Sequence, residues 1–153
     1  MVDSIVDGEG LRSVIWTQGC PHHCPGCHNP ETWAFDGGFE MEVEELKEKL
    51  AATNLQAGVT FTGGEPFWQP EACLELARFA KQELGMNVWS WSGYTYEAIM
   101  EGESEARREF LRELDVLVDG PFILAQRDIS LKFRGSANQR LLRLDKGKII
   151  KAE

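Results

Sequence analysis

Arg12-Ser13-Val14-Ile15-Trp16-Thr17-Gln18 runs without a break into Gly19-Cys20-Pro21-His22-His23-Cys24-Pro25-Gly26-Cys27-His28-Asn29-Pro30. The first seven residues, with Val14, Ile15 and Trp16 in a row, read as a strand. The prolines and glycines that follow exclude a regular helix, so the strand opens into a loop. That loop carries three cysteines spaced C-x3-C-x2-C. Thiolates are soft ligands that suit iron–sulfur clusters or zinc. A four-iron cube held by three cysteines has one iron without a thiolate, and that iron can coordinate a substrate directly. Structural zinc takes four ligands from similarly spaced cysteines, and His22, His23 or His28 would complete a Cys3His set. Spacing leaves both readings open, with a disulfide as a distant third.

Working outward, apolar β-type runs alternate with helical patterns. Met41–Ala52 reads as a helix with Val43, Leu46 and Leu50 on one stripe. Gly58–Thr62 is a short strand that ends in Gly63-Gly64. Pro70–Leu84 has the clearest helical pattern: Pro70 suits the first turn, Gly85 the C-terminal cap, and Cys73, Leu76, Ala77, Ala80 and Leu84 share a face. Asn87–Ser92 reads as a strand, Thr95–Leu114 as a helix interrupted near Gly102, Asp115–Val118 as a buried strand and Leu141–Leu144 as a last one. This alternation predicts βαβ units and a mostly parallel α/β sheet. With 153 residues, the chain is short of the roughly 250 of a full eight-fold barrel. A partial (β/α) barrel or open curved sheet in a single domain, 1–153, fits instead. Ligands of such sheets bind at the carboxyl ends of the strands. The glycine and cysteine motifs fall there, after Gln18, Thr62, Ser92 and Val118, so four loops are expected to converge on one rim.

Composition narrows the class. The chain is 42% hydrophobic and 27% charged, with net charge −9, which argues against nucleic acid as a direct partner because phosphate contacts need clustered Lys and Arg. The acid is concentrated in Glu40–Glu48 and Glu101–Glu113, read as solvated helix faces. No apolar run approaches the roughly 20 residues of a membrane span, and no basic-then-apolar leader is visible. Three clustered cysteines and a lone Cys73 favour metal or redox chemistry in a reducing cytoplasm over disulfides. Cys73, on the apolar face of its helix, reads as a small core hydrophobe. Gly63-Gly64-Glu65-Pro66 after a strand lets the backbone approach a neighbour or ligand closely.

C-x3-C-x2-C is also the signature of the radical S-adenosylmethionine superfamily. More narrowly, the chain resembles the family that activates anaerobic ribonucleoside-triphosphate reductases. The stretches that carry the resemblance are Ile5–Gly10, Gly19–Trp33, Gly63–Pro66, Trp91–Thr95, Asp115–Phe122 and Arg134–Gln139. They run through nearly the whole chain in order. Two departures stand out. His28 occupies a place where the superfamily usually has an aromatic residue. The chain also begins closer to its Ile5–Gly10 segment than is usual, so a short first strand is expected.

The resemblance implies a radical S-adenosylmethionine fold with one 4Fe–4S cluster on Cys20, Cys24 and Cys27. It implies that S-adenosylmethionine sits on the open iron, with its methionine end at Gly63, Gly64 and Glu65. The adenine would meet the backbone of His28, Gly26 and Cys27 would also contact the cofactor, and Ser90 and Ser92 at the end of the third strand could meet the ribose. It further implies reductive cleavage to a 5′-deoxyadenosyl radical, which takes hydrogen from a glycine of the glycyl radical subunit of the reductase. The electron would come from a donor such as flavodoxin or ferredoxin. No protein proton-transfer residue is expected. Asp119, at the end of the fourth strand, would order the site, bind a cation or close a turn, and Arg127, Arg134 and Arg140 are candidates for docking the reductase. Of the five tryptophans, some would shield the chamber from solvent. The alternatives are a formate-lyase activase, a small-molecule radical enzyme such as a deazaguanine synthase, or a structural zinc domain that binds proteins.

Overall fold

The computed structural model describes residues 3–53 and 56–153. In chain order these residues form β1 (Arg12–Thr17), α1 (Val43–Ala51), β2 (Gly58–Gly63), α2 (Pro70–Leu84), β3 (Asn87–Trp91), α3 (Tyr96–Glu101), α4 (Glu105–Glu113), β4 (Val116–Asp119), β5 (Arg140–Asp145) and β6 (Lys148–Ala152). The six strands make one sheet in the order β1-β2-β3-β4-β5-β6. β1 through β4 pair in parallel, with Arg12 opposite Gly58, Gly58 opposite Asn87 and Trp89 opposite Val116. β5 and β6 pair antiparallel. The fold is therefore α/β with a mixed, open sheet whose edges are β1 and β6.

The α2 boundaries match the expected helix because both ends carry stop signals. Pro70 opens the first turn and Gly85 takes the left-handed cap conformation, φ 63°. The interruption expected near Gly102 divides Thr95–Leu114 into two helices, α3 ending at Glu101 with Gly102 as its cap. Ser104 accepts a hydrogen bond from the Arg107 amide and starts α4 afresh, as Thr95 does for α3 with the Ala98 amide. The antiparallel end also follows from the chain. Between β4 and β5 lies only a 3-10 turn, Leu124–Gln126, with no crossover helix to bring the chain back in parallel. β6 was not expected from the sequence. It follows β5 through Lys146 and Gly147, both at positive φ, in a two-residue hairpin turn. All five of its residues are exposed, so no apolar alternation marked it.

Alternation along the strands divides the sheet into two faces. On one, Val59, Phe61, Val88, Leu117 and Leu142 pack with Leu76, Ala77 and Ala80 of α2 and Phe110 and Leu111 of α4. On the other, Trp89, Val116, Val118 and Leu141 pack with Trp91 and Phe133. Arg12 is fully buried on this second face. Its guanidinium donates to Thr60 Oγ1 at 2.8 Å, Glu9 O at 2.9 Å and Val59 O at 3.0 Å, and lies 5.3 Å from the Trp89 ring. Burial pulls its pKa down to about 10. These bonds pin the segment before β1 across the sheet, aided by Thr60 Oγ1 donating to Asp7 O at 2.6 Å. A Cβ on Gly8 would strike the Arg12 side chain. Among the described residues, no helix is long and apolar enough to cross a membrane.

Candidate functional site

A cavity of about 360 Å³ opens at the carboxyl ends of β1–β4. Cys20, Cys24 and Cys27 line it from the loop after β1, Gly63 and Gly64 from the end of β2, Ser92 and Gly93 from the loop after β3, and Gly120 from the loop after β4. The four strand-end loops meet there because parallel strands in register place their carboxyl ends side by side.

All three thiols are free, with Cys20 buried and the other two half-buried. The loop is shaped by turns rather than by regular structure. Cys27 N donates to Cys24 O at 3.0 Å, and its base is tied to the chain beyond by Gly19 N to Thr32 O at 2.8 Å and Cys20 N to Trp33 O at 3.1 Å. Gly26 takes φ +79°, and a Cβ there would lie 2.9 Å from Leu124 Cδ1. Its missing side chain lets the loop after β4 close over the cysteine loop. Burial pushes the Cys20 and Cys24 thiols above the ordinary range, and each neighbouring thiol adds to that. A coordinated cation reverses it, because a ligating thiol is deprotonated outright. Cys73 lies apart in α2, donating weakly to Pro66 O at 3.6 Å. Burial pushes its thiol up strongly, as suits an inert core group.

Among the described residues, no three His, Cys, Asp or Glu side chains meet closely enough to hold one metal ion. Of the loop's histidines, His22 and His28 line the same cavity as the cysteines. His22 Nε2 lies 2.7 Å from Glu65 Oε1, His23 stacks on Trp33 at 4.6 Å, and His28 lies 5.6 Å from Phe122.

The glycine pair has its own explanation. Gly63 takes φ +103°, and a Cβ on it would lie 2.5 Å from Thr17 O; one on Gly64 would collide with Gly19 O. Gly64 N donates to Thr17 O at 2.8 Å and Glu65 N to Gly19 O at 2.9 Å. The closest approach made here is of one strand-end loop to the root of the cysteine loop. Gly64→Ala must therefore push the two backbones apart. We expect it to cut iron uptake during anaerobic reconstitution by at least half, measured as iron and acid-labile sulfide per chain. Uptake equal to that of the unaltered protein would contradict this coupling.

Glu65 stands behind the cavity wall, fully buried. Its Oε1 accepts from Gly93 N at 2.7 Å and Ser92 Oγ at 3.0 Å besides facing His22, and its Oε2 accepts from Phe67 N at 3.0 Å. One carboxylate thus joins the loops after β1, β2 and β3. A Cβ on Gly93 would run into the His22 ring, so glycine is what lets the two loops touch. The Ser92 hydroxyl proton goes to Glu65 while its oxygen accepts from Tyr94 N at 3.0 Å. Ser92 N also donates to Val118 O at 2.9 Å, so Ser92 is left its carbonyl and little of its hydroxyl for a ligand. Ser90 alternates to the helix-covered side and donates to Trp91 O.

Asp119 is also spoken for: its carboxylate accepts from Tyr96 N at 2.7 Å and from Arg140 Nε at 3.0 Å, which orders the start of α3 against β5. Arg140, which also reaches Glu97, is thereby a structural arginine, whereas Arg134 lines the cavity. Trp16, Trp33 and Trp91 line the cavity too, with Asp7, Phe122 and Phe133. Trp68 instead packs on Phe35 at 5.2 Å. The wall contributed by Asp7, Phe122 and Phe133 was not identified from the sequence. Only the alternation of β1 and β3 signalled that Trp16 and Trp91 share a face.

A family described as a 4Fe-4S single cluster domain matches residues 6–142. The chain is similar to the anaerobic ribonucleoside-triphosphate reductase-activating protein of Vibrio cholerae, 35% identical over 143 residues that cover 88% of this chain and 89% of the relative. The protein of that name from Escherichia coli K12 is 32% identical over 142 residues, 88% of this chain and 90% of the relative. The one from Enterobacteria phage T4 is 36% identical over 144 residues, 89% and 86% of the two chains.

Proposed function

The chain belongs to the family of anaerobic ribonucleoside-triphosphate reductase-activating proteins and carries its 4Fe-4S single cluster domain, and from that membership we propose that it installs a glycyl radical on such a reductase. The observation that carries this reading is the meeting of three free thiols and four strand-end loops in one cavity. In this proposal the domain is a single unit, 1–153, whose β1–β4 half is a partial barrel of the radical S-adenosylmethionine type.

Cys20, Cys24 and Cys27 would hold three irons of the cluster. The fourth would take S-adenosylmethionine, its methionine end along the Gly63-Gly64 backbone and its adenine along Gly26, Cys27 and His28. Their fit is supported by a soft donor set on one wall and by unbranched backbone on the next. When bound, cluster and S-adenosylmethionine supply reductive carbon–sulfur cleavage and the hydrogen abstraction that leaves a radical on the reductase. The protein's own part is to hold and to exclude. Glu65 fixes the three loops from behind, and Trp16, Trp91, Phe122 and Phe133 give the chamber an apolar wall that keeps water from the reaction. No side chain of the site is assigned a proton transfer. A flavodoxin or ferredoxin would supply the electron, in the cytoplasm, where the thiols stay reduced.

The test is electron paramagnetic resonance on the purified anaerobic reductase, incubated with this protein, S-adenosylmethionine and a one-electron reductant. A glycyl radical doublet on the reductase is expected. No doublet on that partner, with turnover on another, would reject the assignment. Stoichiometric zinc without acid-labile sulfide after anaerobic purification would replace it with the zinc-domain reading.

A further inference from the structure

Among the described residues, two buried side-chain polar atoms have no hydrogen-bond partner: Ser13 Oγ and Trp33 Nε1. Ser13 lies on β1 away from the cavity, whereas Trp33 is part of the cavity wall. A hydroxyl can rotate towards a partner, but an indole N–H points where its ring holds it, and it can only donate.

The Trp33 ring is well held. It stacks on His23 at 4.6 Å and 13° between planes, and His23 sits between Cys20 and Cys24 with φ 46°, a backbone conformation uncommon outside glycine. The Trp33 carbonyl accepts from Cys20 N at 3.1 Å and its amide donates to Pro30 O at 3.1 Å. Ring and backbone are thus both fastened to the arc that joins the first two cysteines. By contrast, Trp91 Nε1 donates to Phe133 O at 2.9 Å. Leaving a buried N–H unpaired is costly, and such a group in a native fold calls for an explanation, a functional partner from outside the chain among them.

We propose that Trp33 Nε1–H donates a hydrogen bond to a sulfur of the iron–sulfur cluster and thereby raises its reduction potential. The inference rests on the cluster reading above. Hydrogen bonds to cluster sulfurs are among the factors that set these potentials. A donor stabilises the reduced cluster more, because reduction adds one negative charge to its sulfurs and irons. Trp33 is then a positioning and tuning residue for the electron-transfer step.

The test uses Trp33→Phe, which keeps a ring against His23 and removes the N–H. At a fixed potential, with no S-adenosylmethionine added, the ratio of reduced to oxidised cluster is expected to fall between about threefold and tenfold, tenfold being 59 mV for one electron. A second measurement needs no variant to fold. Pulsed electron paramagnetic resonance of the reduced protein carrying 15N-indole tryptophan is expected to show a nitrogen coupling to the cluster. An unchanged ratio in a cluster-loaded variant, or no indole coupling in the unaltered protein, overturns the proposal. So does a variant whose ligand-free ratio is unchanged while its affinity for S-adenosylmethionine drops, which would give the N–H to that ligand. A preparation without acid-labile sulfide fails the cluster reading itself, whereas a cluster without indole coupling fails this inference alone.

Discussion

Cys24→Ala is expected to lose the iron–sulfur chromophore and with it all detectable reductive cleavage of S-adenosylmethionine, while Cys73→Ala keeps both. Cys24 would hold the middle of a three-thiolate set, and two thiolates do not retain a four-iron cube at useful occupancy. Cys73 has neither the position nor the exposure of a ligand: it is 3% exposed in the core beneath α2. Its replacement removes one sulfur atom from a packed interior and should cost about 1 kcal/mol of stability, in the range of other small core truncations. The measurements are iron and sulfide per chain after anaerobic reconstitution, and methionine released on addition of dithionite. A Cys73→Ala protein that lost iron as completely as Cys24→Ala would displace the assignment of three ligands to the loop.

Glu65→Ala is expected to be the most damaging change that touches no cysteine. It leaves the Phe67 and Gly93 amides, the Ser92 hydroxyl and His22 without their common acceptor, which is itself fully buried. Each unsatisfied buried donor costs about 1–3 kcal/mol. Allowing for relaxation, the metal-free protein should lose roughly 3 kcal/mol or more in urea unfolding. Iron occupancy should fall with it, because His22 would no longer tether the cysteine loop to the ends of β2 and β3. Glu65→Gln separates the two roles a carboxylate can have here. It keeps the shape but offers a donor towards groups that are themselves donors, so it too should weaken loading. Unchanged stability and loading, with weaker binding of S-adenosylmethionine, would return Glu65 to a direct ligand contact.

The parallel half of the fold was legible because its signals are local. β1, β2, β3 and β4 are short, largely apolar runs, and a glycine follows each within two residues: Gly19, Gly64, Gly93 and Gly120. α2 carries a proline and a glycine at its two ends, and the structure uses both. The antiparallel half was not legible in the same way. β5 shows some apolar character, but β6 is Lys-Ile-Ile-Lys-Ala on an exposed edge. Its pairing partner is chosen by a two-residue turn rather than by any periodicity of its own. By contrast, the break near Gly102 was legible, and the Ser104 cap fixed where α4 begins.

The cysteine spacing, the strand that precedes it and the glycine pair sixty-odd positions along the chain were all visible in the sequence. They depend on residue type and short-range spacing, and such features do not need the fold to be read. What Glu65, Ser92, Asp119 and Trp33 do was decided by tertiary structure alone. A carboxylate after a Gly-Gly turn looks the same in sequence whether it faces a ligand or three loops of its own chain. Only the parallel register, which sets the end of β2 beside the ends of β1 and β3, places His22, Ser92 and Gly93 around Glu65. That same closure buries the Trp33 indole N–H without a partner in a residue that also lines the cysteine cavity.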